Sequence, residues 1–373
     1  MHTKLAKDLG LEFPIFAFTH CRDVAAAVSK AGGMGVLGVA GHSSKALRSE
    51  LEWIEKEVGD KPYGVDLLLP TRFVGSDSGG EGGDKLEKRI PDEHRQFLDK
   101  LLDDHGVPDL PDDAKVPAAF AVGYEQQRDI IELVFEHDIS LIASALGPPP
   151  AWMIEKGREK GVKVAALAGT VDHARAHVEA GVDIIVAQGS EAGGHTGTIS
   201  TMVLVPEVVD AVDPVPVLAA GGIGGGRQLT AGLALGAQGV WAGSVWLTTE
   251  EAETHPVVKE KFLQATSRDT VRSRSLTGKP ARQLRSAWTD AWEDPSNPDP
   301  LPMPLQPQLV REAQARISRT SHKNEGAREL SNYFVGQVVG SMNHVKSVRN
   351  VMEEFAMEYA DTMARLDRWA EED

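Results

Sequence analysis

Eight short apolar runs recur along the chain, each separated from the next by residues with helical spacing, and this alternation limits the possible folds more than any other feature. The runs cover 14–18, 35–39, 64–69, 140–145, 162–167, 183–187, 215–220 and 239–242. Between them lie stretches such as 23–31, 44–58, 125–137, 172–180 and 228–235, whose apolar positions suit helices that bury one face on a sheet. Asp172, two residues after Thr170, has the form of a helix start. Parallel strands need a crossover between them, so strand-helix alternation predicts βα units. Eight such units predict an α/β protein built on a closed (β/α)8, or TIM, barrel. An open doubly wound sheet is the competing architecture. It leaves unexplained why two glycine-rich turns fall in the last two units.

Those turns follow the seventh and eighth runs. PVPVLAA (214–220) ends in Gly221-Gly222-Ile223-Gly224 ahead of a helix over 227–236, and GVWA (239–242) ends in Gly243-Ser244. A phosphate dianion needs converging backbone N–H groups and a helix N-terminus with no side chains in the way. Barrels of this type place such a site after strands seven and eight. Tight strand-to-helix turns alone explain one such pair easily and two consecutive pairs less well.

A third loop, AQGSEAGGHTGT (187–198), ends the apolar run DIIV (183–186) and holds one imidazole, His195, among small residues. Glycines let the main chain approach a flat ring closely, and a histidine near neutral pKa can take or give a proton. The pattern points to a catalytic base presented over a planar cofactor. A surface turn with an incidental histidine is the competing reading.

The length of 373 residues allows one barrel of about 250 residues and an accessory region. A formal charge of -16 without a long basic run argues against nucleic acid and anionic membranes as partners. The single cysteine, Cys21, rules out an intrachain disulfide and a multi-cysteine metal site, and it suits a reducing compartment. No metal motif is visible. The first residues show no basic region leading into a continuous apolar stretch, so no signal peptide is expected and the expected location is the cytoplasm. Residues 229–247 are uncharged, but Gly232, Gly236, Gly239, Gly243 and Gln238, with a change from helical to strand pattern midway, argue against a membrane span.

Two segments exceed a minimal barrel. GSDSGGEGGD (75–84) and the charged stretch to residue 105 read as an insertion after the third strand, near 75–115, and as a candidate lid. From residue 256 the chain reads as mostly helical and charged, interrupted by the proline-rich 293–308. The expected division is a barrel over 1–255 and a helical accessory region over 256–373 that packs on it. The last helix aligns Val348, Val351, Met352, Phe355, Tyr359, Met363 and Leu366 on one stripe. That stripe predicts core packing or a subunit contact, the latter giving a homo-oligomer; a dedicated partner-binding helix is the alternative.

The order AQGSEAGGHTG, PVLAAGGIGGGRQLTAGLALGAQGVWAGS and RSRSLTGKPAR resembles the nitronate monooxygenase family, formerly called 2-nitropropane dioxygenases, over roughly residues 11–287. The resemblance implies an FMN-dependent (β/α)8 barrel with a smaller helical region. It implies His195 as the catalytic histidine, Gln188, Gly189 and Gly194 beside the isoalloxazine, and Gly221, Gly222, Gly243 and Ser244 around the phosphate. Asp66 occupies a strand-three position where the family usually carries asparagine near the flavin. The family's PMAG-type stretch is missing; the chain instead reads Pro14-Ile15-Phe16-Ala17-Phe18-Thr19-His20-Cys21. An aspartate cannot donate as an amide does unless protonated, and an ionised one disfavours electron density on a reduced flavin. His20 and Cys21 either replace the missing contacts or merely end the first strand. Arg274, Lys279 and Arg282 are candidates for contacting the phosphate or an anionic substrate, against a reading as solvated charge.

The activity this implies is oxidation of alkyl nitronates with molecular oxygen to a carbonyl compound and nitrite. Similar barrels that act as NAD(P)H-dependent reductases of quinones or enoyl thioesters supply one alternative. A flavin-free barrel enzyme on a phosphorylated substrate and a non-catalytic flavin-binding protein supply two more.

Overall fold

A computed structural model describes residues 1–71, 73–74, 86–111, 113–114, 116 and 124–371. The strands in chain order are β1 (Ile15–Thr19), β2 (Met34–Gly38), β3 (Tyr63–Leu68), β4 (Leu141–Ala145), β5 (Lys163–Ala168), β6 (Ile184–Gln188), β7 (Gly194–His195), β8 (Val217–Ala220), β9 (Gly239–Ala242), β10 (Thr270–Ser273) and β11 (Ala281–Leu284). A closed parallel barrel runs β1-β2-β3-β4-β5-β6-β8-β9, so each of the eight apolar runs supplies one barrel strand. Closure is made by β9 on β1, with Phe16 opposite Trp241 and Ala17 opposite Ala242.

Side chains alternate along each strand between the barrel interior and the surrounding helices. The interior holds Phe16, Val36, Ala143, Ala165, Val186 and Trp241 among others. Phe16 and Trp241 stack at 6.4 Å and fill space that the alanines of β4 and β5 leave. Between strands and helices lies the larger cluster, including Leu47, Leu51 and Ile54 of the helix Ser44–Val58. Each fully buried side chain of this kind contributes about 1.5–3 kcal/mol.

The sequence pattern misses three strands. β10, β11 and β7 form a separate antiparallel sheet in that order, in regions read as helix or as an irregular loop. β10 and β11 form a local hairpin, but β11 pairs with β7 across more than eighty positions, which no local periodicity records.

The helices Ala287–Glu293, Leu305–Thr320 and Glu325–Leu330 share a core with the helix Asp92–Asp104, through Leu98, Leu101, Trp288, Trp292, Leu309 and Ile317. The helical part of the expected insertion is thus packed into the accessory region, while 75–84, its glycine-rich part, lies outside the described residues.

The last helix, Val348–Glu371, returns to the barrel and packs between the helices Arg22–Lys30 and Gly226–Ala234. Val348, Val351, Met352 and Phe355 are buried, and Phe355 stacks on Trp246 at 6.2 Å. Met363 and Leu366 are not part of that core, being 37% and 40% exposed, because the helix outruns the barrel surface. Among the described residues no helix is long and apolar enough to cross a membrane.

Candidate functional site

Gln188, Gly189, Gly221, Gly222, Gly243 and Ser244 stand together at the carboxyl ends of β6, β8 and β9. Gln188 pairs with Ala220 and Ala220 with Trp241, which fixes the three loop starts side by side. Gly189 N donates to Ala220 O at 2.9 Å, holding the first loop against the second. A Cβ on Gly189 would lie 2.4 Å from Thr201 N, so no other residue fits there. Gly221 has φ +101, in the left-handed region that glycine tolerates. Around Gly194 a Cβ would meet nothing within 4 Å, and at Gly243 only Phe18, in ordinary contact. The main chain at Gly194 therefore faces open space, while the Phe18 ring stands beside Gly243.

The His195 loop is tied down on all sides. Glu191 accepts from Thr201 N at 2.9 Å and from Thr201 Oγ1 at 3.0 Å, capping the helix Thr201–Val212 with a carboxylate. Arg282 Nε donates to Ser190 O at 2.9 Å, and an Arg272 guanidinium nitrogen donates to Thr196 O at 3.3 Å. Thr196 Oγ1 donates to Gly189 O at 2.8 Å. His195 itself, in β7, pairs with Ala281 of β11.

The His195 ring has a defined protonation. Its Nε2 lies 2.9 Å from Thr277 Oγ1. That hydroxyl faces Lys279 O at 3.2 Å, a carbonyl that can only accept. With the hydroxyl donating to Lys279 O, Nε2 is the donor to Oγ1 and a lone pair is left on Nδ1. Burial, and then the nearby Lys279 ammonium, pull the imidazole down to about 4, so it is neutral at physiological pH. Phe334 lies beside it, ring centroids 6.2 Å apart.

Asp66 stands across the barrel mouth, because β3 is four strands from β8 in the eight-stranded ring. Its Cα partners are Gly38 and Ala143, and Ala143 belongs to the interior cluster, so the carboxyl points inward. It is 6% exposed, and Oδ1 has no hydrogen-bond partner. Burial pushes the group up to about 7, against a smaller opposing effect of the Leu67 backbone N–H.

His20 and Cys21 link β1 to the helix Arg22–Lys30. His20 Nδ1 donates to Gly38 O at 3.0 Å, which places its imidazole next to the strand position paired with Asp66. Cys21 Sγ donates to Glu251 O at 3.2 Å, and burial pushes the thiol up. Cys21 lies near Asp23 and Glu253, but a protonated thiol already engaged in a hydrogen bond is a poor metal ligand.

Of the three basic candidates, Lys279 is at the site, on the turn that also carries Thr277. Arg282 braces the loop. Arg274 is directed elsewhere, to Asp299 at 3.7 Å. Ser244 Oγ accepts from Gly336 N at 2.8 Å, so its hydroxyl serves the neighbouring loop. Sequence reasoning missed Thr277, Glu191 and Phe334. Thr277 and Glu191 lie inside the quoted motifs, but only the β7–β11 pairing shows that RSRSLTGKPAR meets AQGSEAGGHTG.

The nitronate monooxygenase family model matches residues 11–358. A Mycobacterium tuberculosis protein, Rv1533, provisionally named a monooxygenase, is 58% identical over 369 residues, 98% of each chain. A Staphylococcus saprophyticus protein, provisionally named a nitronate monooxygenase, is 31% identical and covers 95% of this chain and 98% of its own. Among solved structures, nitroalkane oxidase from Streptomyces ansochromogenes superposes with a TM-score of 0.78 at 25% identity, over 96% of this chain and 99% of the other. FabK from Thermotoga maritima superposes with a TM-score of 0.73 at 27% identity, over 99% of both chains. A family match over nearly the whole chain, with a full-length relative above 30% identity, places this protein in the nitronate monooxygenase family, as a flavin-dependent oxidoreductase.

Proposed function

We propose that the protein binds FMN across the barrel mouth and oxidises alkyl nitronates with molecular oxygen to a carbonyl compound and nitrite. The observation that carries this reading is His195: an imidazole 2.9 Å from Thr277 Oγ1 in a glycine-rich loop after β6, kept neutral by burial. The residues fit a flavin nucleotide. Gly221, Gly222, Gly243 and Ser244 would hold the phosphate, while Gln188, Gly189 and Gly194, the last with open space around it, would flank the ring. The orphaned Asp66 Oδ1 at the far side offers a polar contact to a ring edge. FMN, when bound, supplies the electron acceptor.

His195 orients the anionic nitronate or removes the α-proton of a neutral nitroalkane, and Lys279 supplies positive charge to the substrate oxygens. A base with a pKa near 4 is weak against a free nitroalkane, which favours the nitronate as the form consumed. His195→Asn tests the assignment: turnover of nitronate and nitroalkane should both fall, and full retention of both refutes the role.

A reductase drawing electrons from NAD(P)H is the second reading, favoured by the likeness to FabK. Flavin bleaching by NADPH and not by nitronate would establish it.

A further inference from the structure

A cavity of about 380 Å³ is lined by none of the residues assigned above to the cofactor. It exists where β1 passes into the helix Arg22–Lys30 through only His20 and Cys21. Its other walls are Trp246 and Leu247 after β9, residues 252–255 and Val258, and, from the accessory region, Gln314, Ile317, Ser318 and residues 331–333.

Two contacts tie this cavity to the reacting groups. At one end His20 donates from Nδ1 to Gly38 O, and Gly38 is the strand partner of Asp66. At the other end Tyr333 packs on Phe334, ring centroids 5.5 Å apart, and Phe334 packs on His195. One residue, Gly38 on one side and Phe334 on the other, thus stands between the cavity lining and Asp66 and His195.

Its walls select for a particular chemistry. Trp246, Leu247, Ala252, Val258 and Ile317 give it an apolar lining, and among the described residues no lysine or arginine lines it and Glu253 is the one carboxylate there. His255 is engaged at Nδ1 by Val257 N, capping the helix Pro256–Gln264. His20, with its proton on Nδ1, presents Nε2 as an acceptor. An anionic group would meet Glu253, and the nearby Lys259 ammonium is already taken up by Thr249 O at 2.8 Å and Ala252 O at 3.1 Å, whereas each methylene removed from water gains about fourfold in affinity. The volume lies at the lower end of the range for small-molecule sites.

We propose that this cavity receives an uncharged, apolar substrate body, an aryl or medium-length alkyl group, whose reacting end lies between Asp66 and His195. The inference rests on the oxidoreductase reading of the site and makes the preferred substrate a long-chain or aromatic compound rather than the smallest nitroalkanes.

The experiment has a binding arm and a turnover arm, both on the holoenzyme. By calorimetry, 2-naphthol should bind at least tenfold more tightly than 2-naphthoate. Ala252→Phe and Ser318→Phe, on different elements and both checked for an unchanged melting temperature, should each weaken 2-naphthol at least tenfold. Glu253→Lys should strengthen 2-naphthoate. In turnover, kcat/KM should climb from the nitronate of nitroethane to that of 1-nitrohexane, and Ala252→Phe should flatten the climb. Equal binding of naphthol and naphthoate, or naphthol binding unaffected by both phenylalanine variants, would overturn the proposal. If no nitronate is turned over, the nitronate reading fails, and naphthol binding still decides the cavity.

Discussion

His195 Nε2 lies 2.9 Å from Thr277 Oγ1, and the hydroxyl donates to Lys279 O at 3.2 Å. A residue on the β10–β11 hairpin thus decides which nitrogen of a loop histidine is basic. Thr277→Val removes the acceptor and frees the ring to change tautomer. A hydrogen bond of about 1–3 kcal/mol corresponds to a fall in kcat of roughly ten- to a hundredfold, with Thr277→Ser staying close to wild type. Steady-state kinetics of the two variants decides it, and a valine variant as fast as the serine variant would contradict the tautomer assignment.

The pH dependence of His195 has a definite sign. With its pKa pulled down to about 4, the neutral form persists throughout the neutral range, so kcat/KM should be flat from pH 7 to pH 5 and fall as pH drops through about 4. Folding is linked to the same group: the unfolded imidazole takes a proton below its ordinary 6.5 while the folded one resists. Stability is therefore lost between pH 6.5 and about 4. A pH profile that already declines near 6.5 would show that His195 is not held neutral.

Asp66 works in the opposite direction. Its folded pKa of about 7 exceeds the ordinary 3.8, so the folded state holds the proton more tightly and loses stability as pH rises from about 4 to about 7. Asp66→Asn removes the buried charge. The variant's melting temperature should exceed wild type's by several degrees at pH 8 and match it near pH 4. Equal differences at the two pH values would mean that Asp66 is not protonated by burial.

The loop itself depends on Gly189. An added methyl at this position would stand 2.4 Å from Thr201 N, against backbone that Glu191 holds in place. Overpacking of this kind costs about 1–3 kcal/mol or more. Gly189→Ala should lower the melting temperature and the amount of flavin retained on purification, read from absorbance per protein; unchanged flavin content would show that the loop can yield.

The barrel was legible because each strand is a contiguous apolar run and each crossover helix has its own period; Ile184–Gln188 and Val217–Ala220 differ from the expected runs only at their ends. The glycine turns were legible for the same local reason. β7 was not, since a two-residue strand has no periodicity, and Thr277 was invisible as a partner of His195 across 82 residues of sequence. The final stripe misled in its last turns. Periodicity marks Met363 and Leu366 as equal to Phe355, but only the position of the barrel surface determines where burial ends.

That difference is measurable. Phe355 is 1% exposed and stacked on Trp246, so Phe355→Ala should cost about 3–5 kcal/mol in denaturant unfolding. Leu366→Ala should change stability by about 0.5 kcal/mol or less. A large loss at Leu366 would show that the end of the helix is covered in solution.

The most direct test of the proposed activity is the visible spectrum of the purified protein during anaerobic addition of a nitronate, with NADPH added to a second sample. The expected result is a yellow protein whose flavin is bleached by nitronate alone. A protein with no flavin and no affinity for added FMN, or a flavin that only NADPH bleaches, would contradict it.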